Sequence, residues 1–255
     1  MKQSWIKYYY DILDFYFWEP QHLGKIKNAK SKYKTYEDIF KHLKKIEVSL
    51  NHQLALFFSI LPQNILNNIL SSIVKSKIND EYVYEGDRII EIVNKLGDFT
   101  QPDFLFSNKK SLLALEVKVD SVSSLDQFMK YLFLYVLIKK DLPHIKNFNL
   151  VFLAKDEFKN IWKEKIENKD DLIEEFRSYK MPKRTAKGGI NISLYRAEIL
   201  EIIKETNIYF INFQDLSNFI EKEKYKLKNN KLGLGWINFM TSLQDEFKKR
   251  NLIKN

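Results

Sequence analysis

The stretch Gln101-Pro102-Asp103-Phe104-Leu105-Phe106-Ser107-Asn108-Lys109-Lys110-Ser111-Leu112-Leu113-Ala114-Leu115-Glu116-Val117-Lys118-Val119 reads as two strands joined by a turn at Ser107 to Lys110. In that hairpin Phe104, Phe106, Leu113, Leu115, Val117 and Val119 share one face. Asp103, Leu105, Leu112, Ala114, Glu116 and Lys118 share the other. The first face is wholly apolar. The second gathers two carboxylates and an amine at one end of the hairpin, with Glu116 expected opposite Gln101 and diagonal to Asp103. Two carboxylates held this close repel unless a cation neutralises them, and hard oxygen donors on a rigid strand pair suit Mg²⁺ or Mn²⁺. Such an ion activates water and a nearby lysine stabilises the charge of the transition state, which is the chemistry of phosphodiester hydrolysis.

Upstream of the hairpin, Tyr82 to Tyr84, Arg88 to Val93 and Phe99 to Phe106 carry strand periodicity, so that with Leu112 to Val119 an antiparallel meander is expected. Downstream, Ser123 or Ser124 can cap a helix from Leu125 to Lys140, stopped by Asp141 and Pro143. Gln127 and Tyr131 are four apart on it and share a helical face, where they either reach the chemistry or fill the core beside Phe128, Leu132 and Tyr135. A buried strand is expected at Asn149 to Ala154 and another at Ile208 to Phe213. Helices are expected at Asp156 to Tyr179, Leu194 to Glu205, Asp215 to Lys226 and Trp236 to Arg250. Towards the N-terminus, aromatic residues from Trp5 to Tyr16 recur at helical spacing. Thr35 and Asp38 resemble a capping box for a long helix, Tyr36 to Leu61, which Pro62 separates from a second one reaching about Ile78.

With 255 residues, 45% of them hydrophobic, the chain can bury a large core. It has no cysteine, which excludes disulfides, thiolate metal sites and a cysteine nucleophile. His22, His42, His52 and His144 are too scattered for a histidine metal motif. A formal net charge of +9 favours polyanionic partners, although nearly all of it is lysine. Lys180, Lys183, Arg184 and Lys187 cluster in a loop ending at Gly188-Gly189, suited either to a phosphate backbone or simply to solvent. The longest apolar run, Tyr131 to Ile138, is far short of the roughly 20 residues of a membrane span, and no export signal is visible. The expectation is a cytoplasmic protein with no membrane partner.

Pro102-Asp103 followed by Glu116-Val117-Lys118 resembles the PD-(D/E)xK nuclease motif, and Gln127-Phe128-Met129-Lys130-Tyr131 resembles the QxxxY motif of RecB-type members of that superfamily. The resemblance runs from about Glu47 to Phe213. It implies an α/β fold with a restriction-endonuclease-like core, a mixed sheet with an antiparallel meander flanked by helices. It further implies Asp103 and Glu116 as metal ligands joined by the Val117 carbonyl, Lys118 assisting the attacking water, and Gln127 and Tyr131 beside them. An acidic ligand from a preceding helix is also implied. Glu47 is the first choice, with Glu85 and Glu91 as rivals. The expected organisation is an N-terminal helix and basic connector over 1–34, a nuclease-like domain over 35–226 and a helical extension over 227–255. The substrate expected is DNA rather than RNA, in bacterial defence or DNA processing, with a homodimer as one arrangement. The alternatives are a nuclease-like fold that only binds nucleic acid or protein, and a nuclease acting on RNA.

Overall fold

A computed structural model describes residues 4–10, 47–76, 80–85, 102–119, 121–181, 191–228 and 233–254. The chain divides into two compact units, one formed by Pro62–Leu216 and the other by Met1–Leu61 with Ser217–Asn255.

The first of these is an α/β unit built on a five-stranded mixed sheet in the order β1 (Val83–Tyr84), β2 (Phe104–Ser107), β3 (Ser111–Lys118), β4 (Asn147–Ala154), β5 (Thr206–Asn212). β1, β2 and β3 are antiparallel neighbours, while β3, β4 and β5 run parallel. The parallel steps need crossovers, and helices supply them. With α1 (Glu47–Ile60) in the other unit and α2 (Gln63–Ile73) preceding the sheet, α3 (Leu125–Asp141) links β3 to β4. Helices α4 (Lys169–Ser178) and α5 (Arg196–Glu205) lie between β4 and β5.

One core joins α3, α4 and α5 to the sheet face carrying Leu105, Leu112, Ala114, Phe148, Leu150 and Phe152. Being sandwiched in this way explains why Tyr131 to Val136 are all buried, although a surface helix would expose every third or fourth residue. Central strand β4 is buried on both faces from Phe148 to Ala154, as a parallel strand covered on both sides should be. Ser124 starts α3 by accepting a hydrogen bond from the Gln127 amide, with Asp126 in the first turn and Lys139 and Lys140 in the last, each placed favourably on the helix dipole. No helix among the described residues is long and apolar enough to cross a membrane.

The hairpin keeps its two expected faces but not its expected register. Phe104 pairs with Leu115 and Leu105 with Ala114, so Glu116 comes abreast of Asp103 rather than of Gln101. The turn centres one residue further along, because the Asn108 side chain accepts from the amides of Lys110 and Ser111 and tightens the loop there. A shift of two residues in pairing preserves side-chain parity, and the face assignment survives it.

The helix expected from Asp156 to Tyr179 is mostly absent. Residues Phe158–Asn160 form a single 3₁₀ turn, and only Lys169–Ser178 is α-helical. Between them the chain is irregular, with one isolated bridge from Trp162 to Ser123. The Ser123 amide donates to Ile161 O at 2.6 Å and the Lys163 amide to Ser123 O at 2.9 Å, while Trp162 packs against Phe128, Phe152 and Phe158. Asn168 then starts α4 by accepting from the amides of Asp170 and Asp171. The expected strand at Arg88 to Val93 and the capping box at Thr35 lie outside the described residues.

The second unit is helical among its described residues, comprising residues 5–10, α1, the part of α6 (Phe213–Leu227) from Ser217 onward and α7 (Gly233–Lys249). Trp5 stacks on Phe239 and donates its indole N–H to the Phe239 carbonyl at 2.9 Å, and Phe57 stacks on the same ring. A buried polar ring lies beside these contacts. Tyr10 donates to Glu246 Oε1 at 2.6 Å, Arg250 Nε donates to the same oxygen at 2.9 Å, and the Arg250 Nη2 group reaches Tyr10 Oη and Ser49 Oγ.

Candidate functional site

Strand β3 carries Glu116 and Lys118 two residues apart, so both project from the face that α3 covers. They are 4% and 6% exposed, and Lys118 Nζ donates to Glu116 Oε1 at 2.7 Å. From the first turns of α3, Gln127 Nε2 donates to the same Glu116 oxygen at 2.8 Å and lies 2.8 Å from the Tyr131 hydroxyl. Asp103, half-buried at the start of β2, accepts the Val117 backbone N–H on Oδ2 at 2.8 Å. Two strands and one helix thus bring Asp103, Glu116, Lys118, Gln127 and Tyr131 into one polar cluster.

Tyr131 is a reporter for this convergence. Its phenol is pushed well above the usual tyrosine range, first by burial and then by the negative charges of Glu116 and Asp103. The Gln127 contact pulls the other way. Both carboxylates therefore act on one hydroxyl, which stays protonated and able to donate at physiological pH.

The chemistry of the donor set fits a hard cation. Glu116 Oε1 is doubly engaged, whereas Glu116 Oε2 is buried and has no hydrogen-bond partner. A desolvated carboxylate oxygen with nothing to accept is costly unless an ion or water meets it. Asp103 and Glu116 would hold such an ion, with water and a substrate oxygen completing its shell. Among the described residues no group of three or more His, Asp or Glu side chains is arranged to hold a metal.

Glu47 is the first residue of α1, in the helical unit. Glu85 is engaged by the Ser107 hydroxyl, and its amide donates to Leu105 O at 2.9 Å, beside the middle of the hairpin. Glu91 lies outside the described residues, as do Lys183, Arg184 and Lys187. Lys180 is exposed just after α4.

One supporting residue had no signal in the sequence. Glu164 Oε1 accepts the Leu125 amide at 3.3 Å and so braces the first turn of α3, from which Gln127 reaches Glu116. Glu164 Oε2, Trp162 Nε1 and Ser123 Oγ are all buried without partners. A donor, an acceptor and a hydroxyl of this kind suit an enclosed water. Expecting 156–179 to be one helix hid this role, since Glu164 acts from the irregular stretch between the 3₁₀ turn and α4. No family model, curated protein or solved structure significantly matches this chain.

Proposed function

We propose that the chain is a Mg²⁺- or Mn²⁺-dependent nuclease of the PD-(D/E)xK type, with a restriction-endonuclease-like core, hydrolysing phosphodiester bonds of DNA. The observation that carries this reading is the buried, partnerless Glu116 Oε2 inside a cluster that also holds Asp103, Lys118, Gln127 and Tyr131. The metal, when bound, supplies a Lewis acid that makes bound water a better nucleophile. Asp103 and Glu116 would hold it, and the Val117 amide fixes the Asp103 carboxylate in place. Lys118 remains close enough to Glu116 to carry its ammonium to a water or a developing phosphorane oxygen. Gln127 orients Glu116 through Oε1, and the protonated Tyr131 phenol is an uncharged donor beside both carboxylates. Water adds to phosphorus, the ester P–O bond breaks, and the departing oxygen takes a proton. The net charge of +9 suits a polyanionic substrate.

The test is incubation of the purified chain with circular, linear and single-stranded DNA and with RNA, in Mg²⁺ or Mn²⁺ and in chelator. Metal-dependent DNA cleavage that Asp103→Ala abolishes, with helicity intact, is the expected result. Cleavage by Asp103→Ala at the wild-type rate would falsify the assignment.

One observation favours a second reading, a nuclease-like fold that only binds nucleic acid or protein. Lys118 already neutralises Glu116 within the buried pair. Under that reading calorimetry detects no Mn²⁺ binding, whereas the nuclease reading expects binding that disappears in Glu116→Ala.

A further inference from the structure

Helix ends fray, and Gln127 works from the first turn of α3. The first amides of a helix have no partner within it, so whatever meets them decides how firmly that turn is held. Ser124 Oγ accepts the Gln127 amide at 3.2 Å. The Leu125 amide is met from outside the helix, by Glu164 Oε1 at 3.3 Å, a carboxylate placed where the helix dipole favours negative charge.

Glu164 belongs to a strap, residues 161–164, that grips the same part of the chain by further contacts. The Ser123 amide donates to Ile161 O at 2.6 Å, the Lys163 amide donates to Ser123 O at 2.9 Å, and the Trp162 ring meets Phe128 edge-on with centroids 6.1 Å apart. Positions 123, 125 and 128 are thus all held, on both sides of Gln127. The strap is itself anchored to the sheet. Ile161 and Trp162 are buried, and Trp162 packs on Phe152 of β4, the residue that pairs in register with Glu116. A closed circuit results, from Glu116 across the sheet to Phe152, through the strap to the start of α3, and back to Glu116 through Gln127 Nε2.

We propose that Glu164 is a positioning residue of the Asp103–Glu116 cluster. By holding the first turn of α3 it keeps Gln127 on Glu116 Oε1, and this fixes the direction in which Glu116 Oε2 faces. Glu164 acts through Leu125 and Gln127, not on a reacting atom. Its effect on turnover rests on the nuclease reading, whereas its effect on Gln127 does not.

The Gln127 side-chain amide gives an observable that needs no catalysis. Its nitrogen donates to both Glu116 and Tyr131, so in ¹⁵N–¹H spectra of the full chain, where its loss in Gln127→Met identifies it, slow exchange with water is expected. Glu164→Ala should move that resonance and speed its exchange about tenfold, which corresponds to loss of about one hydrogen bond. Glu164→Gln keeps an acceptor for the Leu125 amide and should leave both near wild type. In metal-dependent DNA cleavage, Glu164→Ala should lower kcat about tenfold with KM little changed, and Glu164→Gln should restore it. If Glu164→Ala loses its far-UV circular dichroism, Glu164→Leu, which keeps bulk but offers no acceptor, is read in the same way. A folded variant without the acceptor in which the Gln127 amide keeps its wild-type position and exchange overturns the proposal, as does an equal change in Glu164→Gln. A wild-type chain that cleaves no nucleic acid overturns the nuclease reading instead, and the Gln127 resonance still decides the role of Glu164.

Discussion

Glu116 and Glu246 are equally hidden from water, each 4% exposed, yet their surroundings differ in kind. Glu246 sits in a closed ring, where Arg250 and Tyr10 meet one oxygen and also bond each other, and Arg250 extends to Ser49. Glu116 takes Lys118 and Gln127 on one oxygen and leaves the other buried with nothing to accept. The partners differ as well. Arg250 is a planar fork that locks into one geometry, whereas Lys118 is a compact point charge on a flexible stem that can move from one oxygen to another. A ring whose members bond one another holds helices together. A carboxylate with an unused buried oxygen is poised for a further ligand, and this difference separates the two networks more sharply than burial does.

The largest effect expected from this contrast is on turnover. Glu116→Gln, which keeps the shape and removes the charge, should lower metal-dependent DNA cleavage by about 10²–10³-fold or more, as loss of an electrostatic stabiliser does. Steady-state cleavage assays check it. Stability should respond in the other network. Arg250→Met leaves Glu246 buried without its cation and is expected to cost about 3–5 kcal/mol, read from urea denaturation. Lys118→Met should cost a similar amount in chelator, but Mn²⁺ should restore part of it, since a cation at Glu116 replaces the lost ammonium. Mn²⁺ should restore nothing in Arg250→Met, and equal rescue of both variants would erase the distinction.

A smaller effect concerns alkaline pH. Burial first, and then the hydrogen bond to Glu246, raise the Tyr10 phenol from 10.0 to about 12 in the folded chain. A group whose folded value is raised contributes stability that is complete below pH 10 and lost as pH climbs towards about 12, because there the unfolded chain has already released the proton. Wild-type stability should therefore decline over that window, and Tyr10→Phe should decline less steeply in denaturation curves taken across it. The smallest effect is expected at Ser124, whose side chain caps α3. Ser124→Ala should cost about 1 kcal/mol and leave the fold intact.

Much of the site was legible from residue order alone. Strand alternation put Asp103, Glu116 and Lys118 on one face, and helical spacing put Gln127 and Tyr131 on another surface able to meet it. What spacing could not reveal was the target of Gln127, whose Nε2 meets Glu116 and the Tyr131 hydroxyl. The hairpin register was misread by two residues because Asn108 tightens the turn, an effect of one side chain on two amides that periodicity does not register. The stretch from Ile161 to Lys163 was misread as helix because Ser123, nearly forty positions away, supplies its hydrogen-bond partners.

Local pattern thus determined which residues face together, since parity along a strand and spacing along a helix are properties of the backbone itself. Composition determined that cysteine chemistry is absent and that the chain is basic. Only the tertiary structure decided that β4 and β5 run parallel to β3 and that Glu164 braces the helix holding Gln127. These depend on pairings between distant segments, whose free energy is realised only when the chain has closed the loops between them.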